Sequence, residues 1–201
     1  MISSVIFDLD GTLTRTPSPW RYVHERLGVW EQQACGYFEE WMSGRISYDE
    51  FCRRDARLWS GRTVGEIESY LDEIDLNAHV PEVVGRLVQN RIPSIIISSG
   101  FRYVAAKIQA QCEWEPLLIY ANELTEGPEV RINVSGDFSS PISKRSLATQ
   151  ALKHFNSSFD EALVVSDTMR DLEALSDCRF KLLIEDEDDL LKVHHFLADH
   201  E

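Results

Sequence analysis

Short apolar runs divide the chain at intervals, and most of them end in polar or turn-forming residues. The runs span residues 4–9, 93–100, 116–124, 161–167 and 179–185. Segments with helical spacing of apolar residues lie between them, for example 83–88 after Pro81, and 147–155. Strands that are apolar on both faces and alternate with helices indicate a parallel sheet covered on both sides. The pattern therefore predicts an α/β fold with a Rossmann-like parallel sheet and helices on both faces.

Residues 15–79 break this alternation, because they contain no strand-like run. Four stretches of helical period follow one another, and Ser18-Pro19 and Gly28 are suited to begin and end the first. A segment of this length with such patterns predicts a small all-helical insert after strand one, and not a loop. We therefore expect a catalytic core made of residues 1–14 and 80–201, and a helical cap at 15–79. Residues 129–139 are predicted to form an additional hairpin arm.

Polar residues follow three of the predicted strands and suggest where chemistry takes place. They are Asp8 and Asp10 after strand one, Ser98 after strand two, and Asp167 with Asp171 after strand four. Lys144 begins the helix between strands three and four. In an open parallel sheet, ligands bind beyond the carboxyl ends of the strands, so these side chains are expected to meet there.

Four carboxylates in one place repel each other and are tolerated when a cation lies among them. Oxygen ligands of this kind suit Mg²⁺, which retains water and accepts a substrate phosphate as a further ligand. Lys144 and the Ser98 hydroxyl would then supply a charge and a hydrogen bond to the phosphate. The alternatives are that Ser98 only caps a helix while Ser99 is functional, that Arg145 replaces Lys144, and that Asp171 is an ordinary helix-start acid.

Composition and charge narrow the class of protein. The chain has 201 residues, of which 43% are hydrophobic, and its net charge is −14. This length fits one domain with a small insert, and the acidity argues against nucleic acid or an anionic membrane as a partner. The four cysteines are scattered and predict buried, reduced thiols. Without a predicted signal peptide, the expectation is a cytoplasmic monomer or homodimer.

Four motifs together resemble the signatures of the haloacid dehalogenase (HAD) superfamily of phosphohydrolases. They are "DLDGT" at residues 8–12, "IIISSGF" at 95–101, Lys144, and "VVSDTMRD" at 164–171. They occur in the family's order and cover the whole chain. The helical insert and the Gly-Phe pair after the second motif are similar to the phosphoserine-phosphatase-like branch. Ser166 stands where that family more often has Gly.

The resemblance implies a role for each motif residue. Asp8 would attack phosphorus, and Asp10 would act as general acid and then as general base. Ser98 and Lys144 would complete the catalytic set. The implied Mg²⁺ ligands are Asp8, the backbone carbonyl of Asp10, and Asp167, with Asp171 aligning water or Lys144. The residues expected near the phosphate are Gly11, Thr12, Ser99 and Gly100.

The cap departs from the phosphoserine phosphatases at two positions. Their cap glutamate, which holds the substrate amine, aligns with Pro17 or Ser18. Their cap arginine, which holds the carboxylate, aligns near Asp55, and Arg54 and Arg57 flank that position. We therefore predict that Arg54, Asp55 and Arg57 bind substrate. The alternative for Asp55 is a structural partner inside the cap.

The function predicted from the sequence is a Mg²⁺-dependent phosphatase that hydrolyses a small phosphorylated metabolite through an aspartyl phosphate on Asp8. One alternative is phosphoserine phosphatase proper. Another is a phosphotransferase or mutase, which passes the phosphoryl group to an acceptor other than water. A third is a non-catalytic, HAD-like regulatory binding protein, although a retired site has no reason to keep the repulsive pair Asp8 and Asp10.

Overall fold

A six-stranded sheet with the order β4-β3-β2-β1-β5-β6 forms the centre of the molecule. The computed structural model describes residues 1–127, 131–133 and 141–199. The strands are β1 Ser4–Phe7, β2 Ser94–Phe101, β3 Leu117–Thr125, β4 Arg131–Asn133, β5 Ala162–Ser166 and β6 Phe180–Leu183. All neighbouring strands are parallel except β4, which pairs antiparallel with β3 at the edge. The predicted α/β fold is confirmed.

The central strands are buried on both faces. Every residue of β1 and β5 is buried, and Phe7 is in register with Ile96 on one side and Val165 on the other. The helices of the core that follow the cap segment are α5 Val80–Gln89, α6 Arg102–Cys112, α7 Pro141–His154, α8 Met169–Ala174 and α9 Lys192–Ala198. Helix α5 packs on α6 and α9, while α7 packs on α8. These two helix groups confirm the prediction that both faces of the sheet are covered.

The segment between β1 and α5 is helical. It contains α1 Pro19–Arg26, a π-helical turn at Trp30–Ala34, α2 Cys35–Met42, α3 Tyr48–Leu58 and α4 Val64–Leu71. The Ser18 side chain accepts a hydrogen bond from the Arg21 N–H at the start of α1, and Gly28 has a φ of 68° just beyond its end. The division into a core and a cap at residues 15–79 stays a prediction.

Aromatic side chains join the helical segment to the sheet. Trp20 of α1 lies 4.8 Å from the ring centroid of Phe101, the last residue of β2, and 5.6 Å from that of Trp59. All three side chains are buried. Because an aromatic pair adds about 0.5–1.5 kcal/mol beyond its buried area, this cluster holds α1 against the end of β2.

The edge strand, the cysteines and the length of the helices each bear on a prediction made from the sequence. Strand β4 supplies part of the predicted hairpin arm, and the rest of 129–139 lies outside the described residues. All four cysteines are free, but Cys35 and Cys112 are only half-buried, so the expectation that all are buried was wrong for these two. Within the described ranges, none of the helices is long and apolar enough to cross a membrane.

The buried sheet predicts a strong contrast between two identical substitutions. Ile96→Ala removes a side chain with 0% exposure from β2, so we expect it to lower the free energy of unfolding by about 2–5 kcal/mol. Ile142→Ala changes a residue that is 79% exposed and should alter it by less than about 0.5 kcal/mol. Urea denaturation measures both values. Equal effects would contradict the burial of β2.

Candidate active site

Asp8 and Asp10 lie where β1 ends. The Asp8 N–H still donates to the Val165 carbonyl at 2.9 Å, so Asp8 continues the pairing with β5. Gly11 then turns the chain with a φ of 81°. A Cβ at Gly11 would overlap the carboxylate of Asp167. Glycine is therefore required here both for the backbone conformation and for the close approach of the two motifs.

Ser98 contacts the Asp10 carboxylate from the end of β2. Its Oγ donates to Asp10 Oδ2 at 2.7 Å and accepts from the Gly100 N–H at 2.8 Å. A Cβ at Gly100 would overlap the Asp10 carboxylate. The structure thus brings the Ser98 hydroxyl, and not that of Ser99, to Asp10.

Lys144 reaches the carboxylates from α7. Its Nζ lies 3.2 Å from Asp8 Oδ1 and also contacts Asp171 Oδ2. The Lys144 side chain is only 11% exposed. The neighbouring Arg145 points elsewhere and pairs with Asp177 at the exposed surface. The structure therefore places Lys144 at the site and Arg145 outside it.

The turn after β1 is hydrogen-bonded to the residues after β5. The Asp167 N–H donates a hydrogen bond to Thr12 Oγ1 at 3.0 Å. The Thr12 hydroxyl in turn donates to Asp167 Oδ1 at 3.4 Å. At the start of α8, the Asp171 N–H donates to Thr168 Oγ1, and Ser166 Oγ donates to Asp171 Oδ2 at 3.4 Å. Asp167 and Asp171 are thereby fixed next to the β1 residues.

Burial makes this cluster electrostatically unfavourable without a further cation. It raises the pKa of Asp8 well above its usual range, and Lys144 only partly opposes this effect. Burial also raises the pKa of Asp10 to about 7 and raises the pKa of Asp167. Although burial alone would lower the pKa of Lys144, the adjacent carboxylates of Asp8 and Asp171 raise it. One lysine therefore faces an excess of negative charge.

The donor set fits Mg²⁺. Among the residues that the structure describes, no three acidic, histidine or cysteine side chains are grouped so as to hold a metal by themselves. Mg²⁺ does not need such a group, because it commonly binds one or two carboxylates together with water and substrate phosphate. Asp8 and Asp167 supply these carboxylates, and the excess negative charge favours a cation.

A cleft of about 170 Å³ opens above the cluster. The four carboxylates line it together with Ser99 and Lys144. The other lining residues were not predicted as site residues from the sequence: Pro17, Ser18, Pro19, Trp20, Trp41, Thr168 and Arg170. The spacing of apolar residues places Trp41 on the apolar face of its helix. That spacing shows which face of a helix is apolar, but not which residues reach the cleft rim.

The three predicted cap residues do not line this cleft. Arg54 pairs with Glu40 and Glu50 within the cap. Arg57 is exposed and lines a separate groove with residues of α3 and β4. The structure therefore does not bring Arg54, Asp55 or Arg57 to the carboxylate cluster, and their role in substrate binding stays a prediction.

Asp55 instead faces His24 inside the cap. Its Oδ2 lies 3.9 Å from His24 Nε2, and both side chains are at most 1% exposed. Neither ring nitrogen of His24 has a hydrogen-bond partner among the described residues. Burial raises the pKa of Asp55 to about 8 and lowers that of His24 to about 4. This agrees with the alternative of a structural partner inside the cap.

A family model describing haloacid dehalogenase-like hydrolases matches residues 5–176. The chain therefore belongs to this family, which confirms the resemblance seen in the four motifs and the prediction of a hydrolase. No protein of curated description matches the sequence.

Several solved structures with a similar fold are phosphoserine phosphatases. A phospho-aspartyl intermediate analogue of phosphoserine phosphatase is 17% identical, with a TM-score of 0.73, over 96% of this chain and 90% of that one. A substrate-bound phosphoserine phosphatase is 16% identical, with a TM-score of 0.74 and the same coverage. The enzyme from T. onnurineus is 18% identical, with a TM-score of 0.68, over 96% and 94% of the two chains. At these identities the likeness shows the fold.

The buried pair predicts a pH dependence of stability. In the unfolded chain Asp55 ionises near pH 3.8, whereas the folded carboxyl keeps its proton up to a pKa of about 8. In the folded chain the pKa of His24 is about 4 instead of 6.5, so its ring stays neutral above about pH 4. Between about pH 4 and 6.5 the two effects oppose each other. Between about pH 6.5 and 8 only Asp55 of this pair contributes, and its part of the free energy of unfolding should fall by about 1.4 kcal/mol per pH unit.

Urea denaturation at pH 6.5 and pH 8 measures this difference. Because Asp10, with a pKa of about 7, contributes in every variant, Asp55→Asn should not abolish the fall but lessen it by about 1.4 kcal/mol per pH unit. Asp49→Asn, a change at an exposed residue of the same helix, should retain it. An unchanged pH dependence in Asp55→Asn would show that another group is responsible.

Proposed function

We propose that this protein is a Mg²⁺-dependent phosphatase that hydrolyses a small phosphomonoester. One observation carries the proposal: Asp8, Asp10, Ser98, Lys144 and Asp167 meet beyond the carboxyl ends of adjacent parallel strands. The cluster contains a nucleophile, a proton donor, a cation and hydrogen-bond donors in the arrangement that phosphoryl transfer requires.

In the first step, Asp8 attacks phosphorus and the bond to the leaving oxygen breaks, leaving an aspartyl phosphate. Lys144 Nζ, 3.2 Å from Asp8 Oδ1, orients this carboxylate and stabilises charge on the phosphoryl oxygens. Asp10 gives its proton to the leaving alcohol. Because burial keeps the pKa of Asp10 near 7, its protonated form is available at neutral pH.

In the second step, water attacks the aspartyl phosphate. Asp10, now ionised, takes a proton from this water while the bond between Asp8 and phosphorus breaks, which regenerates the Asp8 carboxylate and releases phosphate. Ser98 Oγ, 2.7 Å from Asp10 Oδ2, keeps the Asp10 carboxylate in place throughout. When bound by Asp8, Asp167 and the Asp10 carbonyl, Mg²⁺ would neutralise charge on the phosphoryl oxygens.

The cleft favours a small substrate that differs from phosphoserine. A volume of about 170 Å³ leaves room for a phosphate and a few more atoms. Among the described residues, those of the cap that line the cleft are Pro17, Ser18, Pro19, Trp20 and Trp41, and none of them carries a carboxylate that could hold an ammonium group. Phosphoserine phosphatase proper remains the second candidate because of the shared fold. A cytoplasmic location and a monomeric or homodimeric state stay predictions.

Phosphate release from a panel of phosphomonoesters that includes phosphoserine tests the proposal. With Mg²⁺ the wild type should release phosphate, and EDTA should stop it. Asp8→Asn should reduce the rate to background, because no nucleophile remains, while Asp10→Asn should reduce it by about 10²–10⁴-fold. Arg145→Gln, at the position next to Lys144 but outside the site, should retain activity. Full activity of Asp8→Asn would rule out the mechanism.

Gly100→Ala tests the close approach of β2 to Asp10. The new Cβ would displace the Asp10 carboxylate, and a displacement on the order of 1 Å can cost about 10²-fold in rate. The matched control is Gly85→Ala in α5, where a Cβ meets nothing within 4 Å. We expect a kcat about 100-fold lower for Gly100→Ala and an unchanged kcat for Gly85→Ala. Equal kcat values in the two variants would contradict the packing of Gly100 against Asp10.

A further inference from the structure

Three side chains donate hydrogen bonds to the backbone carbonyl of Ser99. They are Trp20 Nε1 at 2.8 Å, Tyr48 OH at 3.1 Å and Asn122 Nδ2 at 2.6 Å. The pairing of β2 with β3 is irregular at this point, because Ile97 pairs with Tyr120 and the next pair is Phe101 with Asn122. Ser99 thus lies in a bulge, where side chains replace the usual backbone partner.

The donors come from the cap and from the core. Trp20 belongs to α1 and Tyr48 to α3, while Asn122 belongs to β3. Asn122 Nδ2 also donates to the Tyr48 hydroxyl at 2.6 Å, so the core donor and one cap donor are themselves connected. All three side chains are at most 6% exposed. Because water cannot readily replace a donor that is lost here, each contact constrains the carbonyl.

The constraint reaches Asp10 through a single peptide plane. The Ser99 carbonyl and the Gly100 N–H belong to the same planar unit, so fixing one fixes the other. The Gly100 N–H donates to Ser98 Oγ at 2.8 Å. With that interaction in place, the Ser98 hydroxyl donates to Asp10 Oδ2 at 2.7 Å. A continuous chain of contacts therefore runs from the cap helices to the side chain of Asp10.

We propose that Trp20, Tyr48 and Asn122 are positioning residues that couple the docking of the cap to the orientation of Asp10. When α1 and α3 are docked, the Ser99 carbonyl has its full set of donors and Ser98 is held against Asp10. When they separate, one of the three described donors, Asn122, remains, and the peptide is held less firmly. This inference rests on the proposed function for its catalytic consequence, but the coupling itself is a property of the fold.

Amide exchange measured by NMR tests the coupling independently of catalysis. Tyr48→Phe removes the hydroxyl and keeps the ring, so the Gly100 N–H should exchange about tenfold faster than in the wild type. The matched control is Tyr22→Phe, since the Tyr22 hydroxyl contacts Arg26 and Glu73 of the cap only. The control should leave Gly100 exchange unchanged. Equal Gly100 exchange in the wild type and Tyr48→Phe would overturn the proposal.

Steady-state kinetics test the consequence for the reaction. Tyr48→Phe and Asn122→Leu should each lower kcat about five- to tenfold and change KM by less than about twofold, because they disturb the proton-transferring group and not the substrate contacts. Tyr22→Phe should leave both constants unchanged. A rise in KM at constant kcat would overturn a positioning role.

A double-mutant cycle separates this role from a general loss of stability. In a Ser98→Ala background the connection to Asp10 is already broken, so Tyr48→Phe should change kcat less than about twofold. A further fall of the same size as in the wild type would show that Tyr48 acts by another route and would overturn the coupling. If the wild type hydrolyses no phosphomonoester, the proposed function fails, whereas Gly100 exchange still decides whether the coupling exists.

Discussion

Burial of several carboxylates at one edge of a parallel sheet is the constraint on which the rest of the structure depends. Asp8 and Asp10 follow a strand that is buried on both faces, and Asp167 follows its neighbour. Burial raises the pKa values of all three groups, so their ionised forms are costly. Lys144, the cation placed between Asp8 and Asp171, offsets this cost only in part. A site of this kind therefore favours proton uptake or a bound cation.

The backbone around the carboxylates is shaped to let the strands approach. Gly11 and Gly100 each lie so close to a carboxylate that a Cβ would overlap it. Hydrogen bonds then set the direction of the side chains, as between Ser98 and Asp10 and between Thr12 and Asp167. These contacts join separate segments of the chain, because Ser98 and Gly100 of β2 contact Asp10, and Gly11 and Thr12 contact Asp167. A small change in one motif is thus transmitted directly to another.

The sequence sufficed to predict features that depend on local pattern. The apolar run at 161–167 contains β5, and Ser18 caps the start of α1. The acids after β1 and β5 meet because neighbouring parallel strands end at the same edge of the sheet. Features that depend on long-range packing were not predictable in this way. A structural partner for Asp55 inside the cap was one of two alternatives, yet nothing in the sequence identified His24 as its neighbour. Asn122 was noticeable only as a polar residue in a buried strand, where such residues are disfavoured.

The segment Ser98–Phe101 lies between the carboxylate cluster and helices α1 and α3, and the proposed coupling runs through it. Ser98 contacts Asp10, the Ser99 carbonyl accepts hydrogen bonds from two cap helices, and Phe101 packs on Trp20. One bulge in β2 therefore faces the reaction centre on one side and the cap on the other. A regular strand would have used its carbonyls in the β3 ladder, leaving none for the cap. The irregularity is thus the feature that lets side chains of α1 and α3 donate hydrogen bonds to β2.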